Sequence, residues 1–150
     1  MAKENIILKN KKASFEYSFL VSYTAGMMLT GTEVKSIREG KATLSESFCV
    51  ILDGNLWVKN LHIAEYKQGS YNNHEPKRLR KLLLKKSEIQ KIQSKLKEKG
   101  LTIIPIQLFF NERGYAKLEI ALARGKKTFD KREDIKKKDQ QREIARVTRV

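Results

Sequence analysis

The side chains best placed to do chemistry in this sequence are cations. Lys126, Lys127, Lys131, Arg132, Lys136, Lys137, Lys138, Arg142 and Arg146 crowd the stretch from Gly125 to Val150. A second cluster, Lys77, Arg78, Arg80, Lys81, Lys85 and Lys86, is interleaved with Leu79, Leu82, Leu83 and Leu84. Lys plus Arg total 32 against 17 Asp plus Glu, a net charge of +15 in 150 residues. An excess of that size calls for a phosphate-bearing partner. A membrane surface fits less well. There is no basic helix with a broad apolar face and no span of about 20 apolar residues, so no membrane partner is expected.

Other chemistries find few residues to work with. His62 and His74 lie apart and neither has a cysteine at finger spacing, so no metal or other cofactor is expected. His62 reads as structural, whereas His74 stands in a polar loop from which it could touch a phosphate. Cys49 is the only cysteine, which excludes an intrachain disulfide and suits a reducing, cytoplasmic setting. Its neighbours Phe48, Val50 and Ile51 mark an inert core thiol on a strand. Gly26 to Thr32 (GMMLTGT) has two glycines but lacks the lysine of a phosphate loop. No GxSxG occurs, and no serine or cysteine pairs convincingly with a histidine. The chain reads as a binding protein, not an enzyme.

These cations need a frame. Met1 to Lys9 reads as a mobile arm. Phe15, Tyr17, Phe19, Val21 and Tyr23 alternate as in a half-buried strand. Gly31 to Gly40 predicts a short helix capped by Thr32, with Glu33 in its first turn, Arg38 in its last, and Val34 and Ile37 on one face. Lys35 and Arg38 would project from it. Asp53-Gly54-Asn55 between two apolar runs is a hairpin signal. Leu61 to Tyr66 fits one more short strand, and Gln68 to Pro76 a loop. Pro76 to Lys86 fits helix and strand alike. Ser87 with Gln90 suggests a capping box for a helix carrying Ile89, Ile92 and Leu96, ended by Gly100. Ile104, Ile106, Leu108 and Phe110 then alternate, with Pro105 marking an edge or a bulge. Leu118, Ile120 and Leu122 alternate again.

The sum is mainly β: a closed antiparallel β-barrel of the oligonucleotide-binding (OB) type with inserted helices, spanning residues 1–125 with the arm at 1–9. Residues 126–150 form a basic tail. It buries too little apolar surface to offset about 1–2 kcal/mol of backbone ordering per residue. Yet after Gly125 it lacks Gly and Pro and is rich in helix formers. We expect it to be loose alone and helical once a polyanion neutralises it. The same charge run also fits a solvated helix of alternating charge.

Four motifs, in order, resemble those of the small protein B (SsrA-binding protein) family. They are Asn10-Lys11-Lys12-Ala13; Gly31-Thr32-Glu33-Val34-Lys35-Ser36-Ile37-Arg38 with Gly40-Lys41; Pro76-Lys77-Arg78-Leu79-Arg80-Lys81-Leu82-Leu83-Leu84; and Lys126-Lys127 with Asp130-Lys131-Arg132. The resemblance implies a barrel that holds the tRNA-like domain of transfer-messenger (SsrA) RNA. It implies a tail that becomes helical in the empty mRNA channel of a stalled ribosome, so that a degradation tag can be encoded. By position, Asn10, Lys11, Lys12, Lys35, Arg38, Lys41, Arg78, Arg80 and Lys81 would contact that RNA. Glu33 could instead simply cap or orient its helix, and Arg78 could pair with an acidic neighbour. In the tail, Lys126, Lys127, Phe129, Asp130, Lys131, Arg132, Lys136, Lys137, Lys138, Arg142 and Arg146 would face ribosomal RNA at the decoding centre and mRNA channel. The protein would be monomeric with its RNA. Two departures stand out: Thr24 where many members carry an acidic residue, and Gln140 where many carry a tryptophan. The remaining readings are a generic ribosomal or structured-RNA-binding barrel, an RNA-modifying enzyme and a DNA-binding protein.

Overall fold

The computed structural model describes residues 6–68, 73–98 and 100–126. In chain order the elements are β1 (Ile7–Lys9), α1 (Lys11–Glu16), β2 (Tyr17–Met27), α2 (Gly31–Arg38), β3 (Ala42–Thr43), β4 (Phe48–Leu52), β5 (Asn55–Lys59), β6 (His62–Ile63), β7 (Arg80–Leu83), α3 (Lys86–Lys95), β8 (Leu101–Phe110) and β9 (Ala116–Gly125). One large antiparallel sheet runs β1-β8-β4-β5-β7-β2-β9, and β8 also pairs with β9. β3 and β6 make a separate two-stranded ladder. The molecule is therefore mainly β, with three short helices among the described residues.

Alternation puts every second side chain of each strand inward. Leu56 and Val58 of β5, Leu82 of β7, and Leu118, Ile120 and Leu122 of β9 meet Ala25 and Ile37 in the main core. At the β4–β5 turn, Leu52 faces Asn55, leaving Asp53 (φ 51°) and Gly54 (φ 74°) as the two turn residues. Positive φ at both positions is the tight turn that matches strand twist, as the Asp-Gly signal predicts.

Several expectations are corrected. Ile7–Lys9 is not part of an arm: it pairs with Phe109, Leu108 and Gln107, and Leu8 packs on the core. The strand expected from Phe15, β2, begins at Tyr17, because Asn10 caps a helical turn by accepting a hydrogen bond from the Ala13 N–H (3.1 Å). Two strands break their alternation. In β2 the register shifts between Phe19 and Val21, so Leu20 is an extra residue and Phe19 and Leu20 are exposed. In β8 it shifts between Pro105 and Gln107, so Ile103 and Leu108 both enter the main core despite their odd separation, while Ile104 joins a second cluster with Ala13 and Ala123. Pro105 lies at that bulge, one of the two settings its missing N–H allows. Within the ambiguous 76–86 stretch, Arg80–Leu83 form the strand β7. α3 starts at Lys86; Glu88, not Gln90, reaches back to the preceding backbone N–H, that of Lys85 (3.2 Å). Ile92 is its buried contact with the core.

Candidate RNA-contact surface

The surface is organised by α2. Its N-terminus is closed by Thr30, not Thr32: the Glu33 N–H donates to Thr30 Oγ1 (3.4 Å) and the Thr30 N–H to Glu33 Oε1 (2.9 Å), a reciprocal capping box. The Thr32 hydroxyl is engaged elsewhere, with His74 Nδ1 (2.9 Å). Glu33, Ser36 and Ile37 form the buried face. The Ser36 hydroxyl donates to the Ala64 carbonyl (2.6 Å), and Gly40 (φ 75°) closes the last turn on the Ile37 carbonyl (2.8 Å). Lys35 and Arg38 are left facing outward.

Beneath the helix lies a buried ionic knot. The Glu33 side chain is fully buried and receives hydrogen bonds from Arg78 Nη2 (2.6 Å) and from Arg80 Nε. Arg80 is itself fully buried. Its remaining nitrogens donate to the carbonyls of Leu61 (2.6 Å), Pro76 (3.0 Å) and Glu75 (3.4 Å). Burial by itself would raise the Glu33 pKa. The hydrogen bonds from Arg78, the Thr30 N–H and Arg80 outweigh it and hold the carboxyl below its ordinary range. Burial pulls the Arg80 guanidinium down, opposed by its bond to Glu33. α2, β7 and the chain after β5 are thus tied through one carboxylate.

Outside this knot the cations differ in what holds them. Arg38 lies 4.5 Å from the centre of the Phe110 ring, and Lys35 Nζ 5.5 Å from that of Tyr66. Lys41 pairs with Glu39 (3.2 Å). Lys12 is drawn to Glu46 (2.7 Å), whose hydrogen bond and charge raise the lysine pKa. Lys81 stands half-buried opposite Trp57 on the outer side of β7, and Lys11 is exposed on α1.

The family model described as "SmpB protein" matches residues 7–150. The chain belongs to the SmpB family. It is 56% identical over 147 residues to the SsrA-binding protein of Bacteroides thetaiotaomicron, with 98% of each chain covered. To that of Phocaeicola vulgatus it is 58% identical over 142 residues, with 95% of each covered. It is also similar to a solved structure, "tmRNA-SmpB: a journey to the center of the bacterial ribosome", at 50% identity and a TM-score of 0.70, covering 82% of this chain and 86% of that one.

The positions that match SmpB motifs do not form one class. Lys11, Lys12, Lys35, Arg38 and Lys41 are exposed, and Lys81 and Arg78 half-buried. Arg80 is a correction: it points inward to Glu33, so its motif position serves the frame and offers nothing at the surface. Asn10 is a second. It is 4% exposed, and its Nδ2 donates to the carbonyls of Leu44 (3.2 Å) and Pro105 (2.8 Å), tying α1 to β8. Arg78 divides its guanidinium between Glu33 and the Met28 carbonyl (3.2 Å). His74 is a third: it is buried, with both ring nitrogens engaged, by the Thr32 hydroxyl and the Ile63 carbonyl (2.8 Å). A carbonyl only accepts, so Nε2 carries the proton. Thr24 is exposed on β2 opposite Glu119, which accepts from Gln107 Nε2 (2.6 Å).

Lys126 is anchored at the end of β9. Its N–H donates to the Glu16 carbonyl (2.8 Å) and its Nζ to that of Ser14 (3.4 Å). Lys127, Phe129, Asp130, Lys131, Arg132, Lys136, Lys137, Lys138, Arg142 and Arg146 lie outside the described residues, as does Gln140. Sequence reasoning missed Tyr66 and Phe110 as supports for cations; both are remote in sequence from α2, and no local pattern signals them. Among the described residues no three His, Cys, Asp or Glu gather to hold a metal, and no helix is long and apolar enough to cross a membrane.

Proposed function

We propose that this chain binds the tRNA-like domain of transfer-messenger RNA and delivers it to stalled ribosomes for trans-translation. It acts by binding, in the cytoplasm and as a monomer with its RNA, without catalysing a reaction. The carrying observation is the match to SsrA-binding proteins along nearly the whole chain at more than 50% identity. The exposed cations Lys11, Lys35, Arg38 and Lys41, with half-buried Lys81, take the phosphates. Glu33, Arg80 and Asn10 hold the elements that display them.

We read the sheet as an OB-type barrel. The successive pairings β8-β4-β5-β7-β2-β9, with β9 returning to β8, support closure. Residues 127–150 serve as the second binding element, entering the vacant mRNA channel. Neutralising nine basic side chains there offsets the cost of ordering them, and an occupied channel excludes the segment. Truncation after Lys126 tests this division. The shortened protein is expected to keep transfer-messenger RNA in a filter-binding assay and to lose peptide tagging on ribosomes stalled without a stop codon. Persistence of both activities would remove the second element from the mechanism.

A further inference from the structure

We infer that Phe110, at the end of β8, is a positioning residue for the RNA surface, holding Arg38 so that the donor-bearing edge of its guanidinium meets one RNA phosphate. This rests on the reading above, that Arg38 contacts transfer-messenger RNA. The three arginines matched by position to contact with transfer-messenger RNA are spent differently. Arg80 uses its donors on Glu33 and three carbonyls, and Arg78 divides its own between Glu33 and backbone. Arg38 is exposed, and among the described residues its guanidinium has the Phe110 ring as its partner and neither a carboxylate nor a carbonyl. The β8–β9 turn comes close as well: a Cβ built on Gly114 would lie 3.6 Å from Arg38 Nη2.

The guanidinium is planar and carries its five N–H donors in its own plane, directed outward at its edge, so contact of its carbon with the ring leaves them open to a ligand. Phe110 in turn is half-buried and packs on the main core, so the shelf does not drift. α2 fixes the Cα of Arg38 through Glu33, Ser36 and Ile37, and Phe110 fixes its far end. Rotamer freedom that a long cation normally loses on meeting phosphate is already lost here. The ligand is a phosphate of the RNA backbone, recognised by paired N–H donors from one guanidinium.

The test is a double-mutant cycle with the full chain and the tRNA-like domain of transfer-messenger RNA, read by filter binding. Arg38→Ala is expected to weaken binding about tenfold, and Phe110→Leu, which fills the core but lacks the aromatic face, about threefold. With both changes, binding should equal that of Arg38→Ala alone, and Phe110→Tyr should restore the wild-type value. If Phe110→Leu proves too unstable, Arg38→Lys gives a second route: about fivefold weaker binding, which Phe110→Tyr leaves unchanged. A threefold loss from Phe110→Leu that persists in the Arg38→Ala background overturns the inference, as does wild-type binding by Phe110→Leu beside a weakened Arg38→Ala. Wild-type binding by Arg38→Ala overturns it too, by removing Arg38 from the contact; failure of the unaltered protein to bind this RNA would instead strike the functional reading.

Discussion

Glu33 does at residue scale what its sequence position half announces. An acidic residue in the first turn of a helix suits the dipole and the cap, and it does accept the Thr30 N–H. Its larger task is to neutralise Arg80 in a site with no access to water. Glu33→Gln keeps the shape and removes the charge, leaving a buried guanidinium opposed only by carbonyls. It should cost about 3 kcal/mol in urea unfolding at pH 7. The pH dependence has a definite sign. Because folding lowers the Glu33 pKa from its ordinary 4.5, its ionised form contributes stability fully above that value. The contribution is lost as pH falls through the depressed folded value. The gap between wild type and Glu33→Gln should therefore narrow in the acid range; an undiminished gap at pH 3 would contradict the ionic account. Nothing local could reveal these partners, since Arg78 and Arg80 are 45 and 47 residues away in sequence. The Arg80 site looks from sequence like any other basic residue between leucines. Only the inward phase of β7, set by Leu82 beside it, turns it into the core.

At the scale of elements, what could be read was what neighbours in sequence decide. The Asp53-Gly54 turn, the helix ending at Gly40 and the alternation of Leu118, Ile120 and Leu122 are all local, and all are found where the residues place them. The β8 bulge was half legible: Pro105 marked the irregularity, but the switch of Ile104 to the second cluster depends on pairing with β9. Leu20 carries no mark at all, and the shift in β2 follows from its partner strand. α2 shows the same limit. Two threonines flank its start, and sequence favours the one beside Glu33. The structure selects Thr30 because Thr32 is drawn to buried His74. Thr30→Ala should cost about 1 kcal/mol by loss of the cap, measured by urea unfolding. RNA affinity should fall with it, by less than for Arg38→Ala, because the helix carrying Lys35 and Arg38 frays at one end while Ser36 and Ile37 still hold the other.

For the whole molecule the distribution of charge decides which part attracts RNA at long range. Residues 127–150 hold nine basic and five acidic side chains, net +4, so the remainder carries +11 of the total +15. The body alone should therefore retain most of the electrostatic attraction. Raising salt from 50 to 200 mM is expected to weaken transfer-messenger RNA binding about 10²-fold for about four phosphate contacts, in the full chain and after truncation at Lys126 alike. A much shallower dependence in the truncated protein would move the main contact into the last residues. Cys49 sits on β4 with 5% exposure, and burial pushes its thiol far above the usual range. As the sole cysteine it makes the protein its own stopwatch for opening. A coloured disulfide reagent should register no thiol in native buffer and one per chain in concentrated urea, with the intermediate rate reporting how often the core breathes. A fluorophore attached through a cysteine introduced on the surface would then leave the interior untouched, so motion on the ribosome can be followed without first removing a native residue.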